Sequence, residues 1–140
     1  MTPGGAVLLD TCAIIYLANR DPLPAAALAL LGQAQDGDGI LVSPVSAWEV
    51  GLLSRKAGPP SFQPNSRDWF CDFLGFPGVR LTPFTPEIAI DSAYLPAPLH
   101  GDPADRLLIA TARALDVPIL TSDRKILAYA EAGHVRAIAC

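Results

Sequence analysis

Apolar and polar positions along the chain fall into short blocks separated by proline and glycine, and the blocks alternate between two kinds of pattern. Ala6-Val7-Leu8-Leu9 is a continuous apolar run stopped by Asp10, as expected of a strand covered on both faces. Residues 12–18 and the Ala/Leu-rich residues 24–34 predict two helices. Asp36-Gly37-Asp38-Gly39 is a turn, and Ile40-Leu41-Val42 reads as a second buried strand. Ser43-Pro44 supplies an N-cap and a first-turn proline for a helix reaching about Lys56, where Gly58-Pro59-Pro60 stops it.

After a loop over residues 61–65, residues 66–74 carry Trp69, Phe70 and Phe73 at helical spacing, which predicts core packing. A short strand is expected at Val79-Arg80-Leu81, a helix over residues 86–94, and a proline-rich loop over residues 95–101. Residues 103–115 form the clearest helix, followed by a strand at Pro118-Ile119-Leu120-Thr121, a helix over 124–132 and a last strand over 135–139. Alternating strands and helices predict an α/β fold: a mostly parallel central sheet flanked by helices in three layers. In such sheets ligands bind beyond the carboxyl ends of the strands, so polar residues that follow strands are the first candidates for chemistry.

Composition narrows the picture. With 140 residues the chain is expected to form a single domain over 1–140. Hydrophobic residues make up 51% and charged residues 17%, which excludes a disordered chain. The longest apolar runs, such as residues 25–31, fall short of the roughly 18 residues a membrane span needs. No basic segment ahead of an apolar one marks a secretory signal, so the expected location is cytoplasmic. Three cysteines, Cys12, Cys71 and Cys140, at wide spacing with no C-x-x-C read as reduced thiols, and the two histidines, His100 and His134, make a His-rich metal site unfavourable.

Four acids stand in awkward places. Asp10 closes the first strand and Asp123 follows another by two residues, although each also fits a turn or a helix cap. On a helical wheel Glu49 falls among Val45, Trp48, Leu52 and Leu53, in the middle of the expected buried stripe. A buried carboxylate there needs an arginine, a lysine or a metal ion to compensate it. Asp102 is expected to cap the helix that opens with Pro103, and Asp105, at the edge of that helix's buried face, is able to point inward.

Asp10, Glu49, Asp105 and Asp123 gathered together repel one another unless a divalent cation lies among them. An all-oxygen donor set selects Mg²⁺ or Mn²⁺, whose coordination is commonly completed by water and phosphate oxygens. The net charge of −4 at first argues against a nucleic-acid substrate. Setting the four acids aside leaves equal numbers of acids and bases, ten of each, so net charge does not exclude a nuclease.

These residues resemble the PIN-domain ribonucleases, in particular the VapC toxins of bacterial toxin–antitoxin pairs. The resemblance runs from about Ala6 to Ile138. It is carried by Leu8-Leu9-Asp10-Thr11, by Ser46-Ala47-Trp48-Glu49-Val50, by residues 100–110 with Asp102-Pro103-Ala104-Asp105-Arg106, and by Leu120-Thr121-Ser122-Asp123. It implies a PIN-like three-layer fold and a metal-dependent endoribonuclease in which Asp10, Glu49, Asp105 and Asp123 are the acidic quartet, catalytic and metal-binding. It further implies Asp102 as a supporting acid, Thr11 and Ser122 as residues that orient carboxylates or water, an RNA substrate, a homodimer and a cognate antitoxin. Cys12 departs from the small polar residue often found at its position.

Arg20, Arg55, Lys56, Arg106 and Lys125 are candidate contacts to the RNA backbone and His100 a candidate proton donor. The competing readings are an inactive PIN-like protein-binding module and a receiver-like Mg²⁺-binding signalling domain. The second normally has paired acids after the first strand, whereas here Thr11 follows Asp10. P-loop, serine-hydrolase and zinc-protease motifs are absent from the sequence.

Overall fold

The first apolar run becomes the centre of the sheet. In the computed structural model, which describes residues 5–98 and 101–140, the elements in chain order are β1 (Ala6–Leu9), α1 (Thr11–Ala18), α2 (Ala25–Asp36), β2 (Gly39–Val42), α3 (Pro44–Ser54), α4 (Ser66–Leu74), β3 (Val79–Leu81), α5 (Pro86–Asp91) with a 3-10 turn at Ser92–Tyr94, α6 (Pro103–Leu115), β4 (Ile119–Thr121), α7 (Arg124–Glu131) and β5 (Ala137–Ala139). The five strands form one sheet in the order β3-β2-β1-β4-β5. Every pairing is parallel; Val7 lies opposite Ile40, and Leu8 opposite Ile119.

Because successive residues of a strand point to opposite faces, β1 feeds two cores. Val7 and Leu9 join Ile14 of α1, Leu31 of α2 and Phe70 and Phe73 of α4 on one face. Leu8 joins Leu108 and Ile109 of α6 and Ile126 and Tyr129 of α7 on the other. All three β1 side chains are fully buried, which is why the run carries no polar alternation. Helices thus cover both faces, as the strand–helix alternation predicts.

Most element bounds fall within two residues of the sequence expectation. One packing expectation is corrected. The inward side of α3 is Val45, Ser46 and Val50, whereas Trp48 and Leu52 are 52% and 41% exposed, so Glu49 stands at the edge of the buried face, half-buried, rather than at its middle. Apolar residues surround α3, so periodicity alone does not select the side that meets the sheet. Ser46, whose small hydroxyl lets α1 approach, lies on that side and contacts Thr11.

The strand order places a switch point at the centre. The chain lays β2 and β3 on one side of β1, then returns to lay β4 and β5 on the other. Connections leaving β1 and β4 therefore diverge and open a crevice beyond their carboxyl ends, the place where ligands bind in open parallel sheets. The order also differs from the 2-1-3-4-5 of receiver-like domains. Among the described residues no helix is long and apolar enough to cross a membrane.

Candidate active site

Asp10 leaves β1 and caps α1: its Oδ1 accepts the Thr11 N–H at 2.7 Å. Its Oδ2 accepts the hydroxyl of Thr121, from the end of β4, at 2.6 Å. Thr121 in turn accepts the backbone N–H of Asp123 at 2.9 Å, so one buried hydroxyl fixes both strand-end acids. Asp123 caps α7, its Oδ1 accepting the N–H groups of Lys125 and Ile126 at 2.8 and 3.1 Å. The cap reading and the crevice reading of these two aspartates hold together, because a helix starts where each strand stops.

Glu49 reaches the same crevice from α3. Its Oε1 lies 2.5 Å from Thr11 Oγ1, which lies 2.9 Å from Ser46 Oγ. The Thr11 hydroxyl faces both oxygens as donor and has one proton to share between them. Asp102 caps α6 by accepting the Asp105 N–H at 3.2 Å, and Asp105, one turn inside, is buried. The N-termini of α1, α6 and α7 converge here, and their partial positive charge favours carboxylates.

These five acids line a cleft of about 300 Å³ together with Thr11, Cys12, Ser122 and an apolar wall of Ile15 and Leu53. Larger hollows, up to about 520 Å³, lie at the opposite ends of β4 and β5 beside Pro118 and Ala137, without such a gathering of carboxylates. Chemistry rather than size marks the site.

Charge in the cleft is poorly compensated. Burial pushes the Asp105 carboxyl up to about 8, helped by the charges of Asp10, Asp102, Asp123 and Glu49. Burial also raises Asp10, against its hydrogen bonds from Thr121 and Thr11 and with the Asp123 charge adding to it. Glu49 is raised by burial, against the Thr11 bond, with Asp10 and Asp102 adding to it. Among the described residues neither Asp10 nor Glu49 forms an ion pair with lysine or arginine.

An oxygen-only set with this repulsion has the donor chemistry of a site for Mg²⁺ or Mn²⁺. The carboxylates are nevertheless spread out: among the described residues no three Asp, Glu, His or Cys side chains close around one point at ligand geometry. The residues fit a hard divalent cation in chemistry, and their separation leaves room for water between them.

The family model for the PIN domain matches residues 7–132, nine-tenths of the chain. The chain belongs to the PIN-domain family. The PIN domain is 39% identical over 51 residues to Ribonuclease VapC22 of Mycobacterium tuberculosis (strain ATCC 25618 / H37Rv), a match spanning 36% of this chain and 39% of that protein. Its fold resembles VapBC2 from Rickettsia felis bound to a DNA fragment from their promoter, with TM-score 0.69, 14% identity, and coverage of 96% of this chain and 98% of that one. It also resembles FitAcB from Neisseria gonorrhoeae, with TM-score 0.59, 19% identity and coverage of 94% and 96%.

Within this PIN domain the sequence expectations need two amendments. Ser122 lines the cleft, but its hydroxyl meets Cys12 Sγ at 3.3 Å and Tyr16 Oη at 3.3 Å; the hydroxyl that orients a carboxylate at this strand end is that of Thr121. In the sequence Thr121 reads only as the last residue of a buried strand, and the usable signal is a hydroxyl two positions before an acid. Arg106 is not a free surface cation: its Nε donates to the Ser92 carbonyl at 3.0 Å, tying α6 to the 3-10 turn. Arg20, Arg55, Lys56 and Lys125 are exposed. His100 lies outside the described residues.

Replacing Thr121 by valine keeps the shape and removes a bond to a charged acceptor while orphaning the Asp123 N–H. Thr121→Val is expected to cost about 1.5–3 kcal/mol of stability. Thr121→Ser is expected to restore most of it. Denaturant unfolding of both variants measures this, and an unchanged midpoint for the valine variant would show that Thr121 does not hold the two acids.

Proposed function

We propose that this PIN domain, acting as one unit over 1–140, is an endoribonuclease dependent on Mg²⁺ or Mn²⁺ and the toxin of a type II toxin–antitoxin pair. The observation that carries the reading is the convergence of Asp10, Glu49, Asp105 and Asp123 on one cleft at the sheet's switch point, where burial raises Asp10, Glu49 and Asp105 and the neighbouring acids add to it. The PIN-domain match and the likeness to a ribonuclease support it.

Asp10 and Asp105 would hold the ion, with Glu49 and Asp123 completing the site directly or through water. An ion held there would supply positive charge that lowers the pKa of a water and offsets charge on the phosphate. The chain's own residues supply position. Thr11 and Ser46 hold Glu49 in one orientation, and Thr121 locks Asp10 to the start of α7. Asp102 holds the first turn of α6 so that Asp105 faces inward. Arg20, Arg55, Lys56 and Lys125 contact the RNA backbone.

The partner reading rests on the neighbours in fold, which are complexes of VapBC and FitAB. An acidic cleft is complementary to a basic segment of an antitoxin, and a homodimer in the cytoplasm is part of the same reading. Incubating the purified protein with structured RNAs in Mg²⁺ or Mn²⁺ tests the activity. Cleavage is expected with either ion and none with EDTA. Cleavage that persists in EDTA would overturn the metal mechanism, and intact RNA under all conditions would favour a PIN fold that only binds protein.

A further inference from the structure

The acidic cleft has two unlike sides: its carboxylates and hydroxyls face a wall of aliphatic carbon made by Ile15 of α1 and Leu53 of α3. The wall follows from helical spacing. Ile15 stands four residues after Thr11, and Leu53 four after Glu49. Each therefore lies on the same helix face as its polar partner, about 5.4 Å further along the axis. The Thr11 hydroxyl, 2.5 Å from Glu49 Oε1, pins the two helices together at the polar level. One turn on, the two aliphatic side chains border the same hollow.

Both are half-buried, their backs packed against the core that holds Ile14, Phe70 and Phe73. The wall is thus formed before anything binds, so occupying it orders little that is loose. Three residues beyond Leu53 the exposed Lys56 extends this edge, its N–H donating to the Leu53 carbonyl at 3.1 Å. From the sheet outward the edge runs acid, apolar side chain, cation.

A strand of RNA has parts in a matching order. By the nuclease reading the scissile phosphate belongs at the acidic end. One sugar away stands a base, the part of a nucleotide with apolar faces, and then comes the next phosphate, an anion suited to Lys56. Covering a base face with aliphatic carbon is favourable and needs no hydrogen bond. The side chains of Ile15 and Leu53 have neither donor nor acceptor, so such a wall registers that a base is present without reading its edge.

We propose that Ile15 and Leu53 are a base-binding wall, against which the nucleobase beside the scissile phosphodiester packs and so holds the strand in register with the acids. A base still paired in a duplex does not reach the wall, so the nucleotide taken is an unpaired one. The place of the phosphate rests on the nuclease reading above, and the wall on the lining of the cleft.

The test first removes the base and leaves the protein untouched. A short single-stranded RNA whose cut position has been mapped in Mn²⁺ is resynthesised with one abasic ribose at each position in turn. The protein is expected to lose about tenfold in kcat/KM, carried by KM, when the abasic ribose borders the cut, and to be indifferent to it elsewhere. Leu53→Gln and Ile15→Thr bring a polar group to the wall at similar size. Each is expected to lose a similar factor on the intact RNA and to show little further loss on the abasic one, the mark of a direct contact. Thermal unfolding checks that the variants are folded, and the abasic series decides the matter if they are not. Should the RNA stay whole, anisotropy of an end label makes the same comparison as an affinity.

Cleavage at one rate whichever base is missing would overturn the proposal and leave the nuclease reading in place. Folded variants that slow cleavage yet stay as sensitive to the missing base as the parent would do the same. Uncut RNA that binds more tightly with the base than without it would end the nuclease reading and keep the wall. Uncut RNA whose binding ignores the base, or that does not bind, would end both.

Discussion

Asp10→Asn is expected to lower metal-dependent RNA cleavage by about 10³-fold while leaving the fold intact. The loss follows from the role proposed for the carboxylate: removing a charged ligand forfeits several kcal/mol of charge stabilisation in the transition state, and about 4 kcal/mol corresponds to that factor. The fold survives because asparagine keeps the shape. Its carbonyl still caps α1, and its amide is able to donate to Thr121, which already accepts the Asp123 N–H. Stability is expected to change by no more than about 1 kcal/mol, since a poorly compensated buried charge is removed together with its bonds. Single-turnover cleavage in Mn²⁺ beside thermal unfolding in EDTA separates the two effects. A variant that unfolds near room temperature would mean that Asp10 is there to hold the fold, and undiminished cleavage would remove it from the chemistry.

Without metal, the protein is expected to lose stability as pH rises from about 4 to about 8. Asp105 is raised to about 8 in the folded chain, first by burial and then by four neighbouring acids. A carboxyl group whose folded pKa lies above its unfolded value binds protons on folding. Its penalty is absent below the unfolded pKa, grows as pH climbs through the gap, and is complete above the folded value. Asp10 and Glu49 are shifted in the same direction, so they add to the trend.

Asp105→Asn is expected to flatten this dependence and to gain about 1–2 kcal/mol at pH 8 in EDTA, the repulsion being moderated by solvent at the open cleft. Divalent metal is expected to raise the melting temperature more at pH 8 than at pH 5.5, because it binds the deprotonated acids. Melting curves of both proteins at three pH values, with EDTA or Mn²⁺, read all of this. An Asp105→Asn protein less stable than the parent at pH 8 would contradict the account, as would a metal shift that shrinks with rising pH.

Much of the fold is legible along the chain, for local reasons. A strand buried on both faces has no room for polar alternation, so Ala6 to Leu9 marks the centre of a parallel sheet. Ser43-Pro44 and Asp102-Pro103 mark helix starts because a side-chain acceptor and a preset φ are needed in that order, and both helices begin there. The candidate acids are legible as misfits: a charge at the end of an apolar strand or on the apolar side of a helix is costly to bury, and its presence there calls for a compensating partner.

Other features depend on which elements meet. The side of α3 that faces inward is set by contact with α1, and a helix with apolar residues on more than one side carries no clear record of that choice. Thr121 is an ordinary strand residue until β4 lies beside β1 and its hydroxyl comes within reach of Asp10.

The sequence by itself therefore determined the layers, the helix starts and the set of acids, since each follows from the burial or backbone chemistry of a few adjacent residues. Only the tertiary structure decided which hydroxyls hold those acids. Such contacts join residues far apart in the chain, and their geometry comes from strand order and packing rather than from any local pattern.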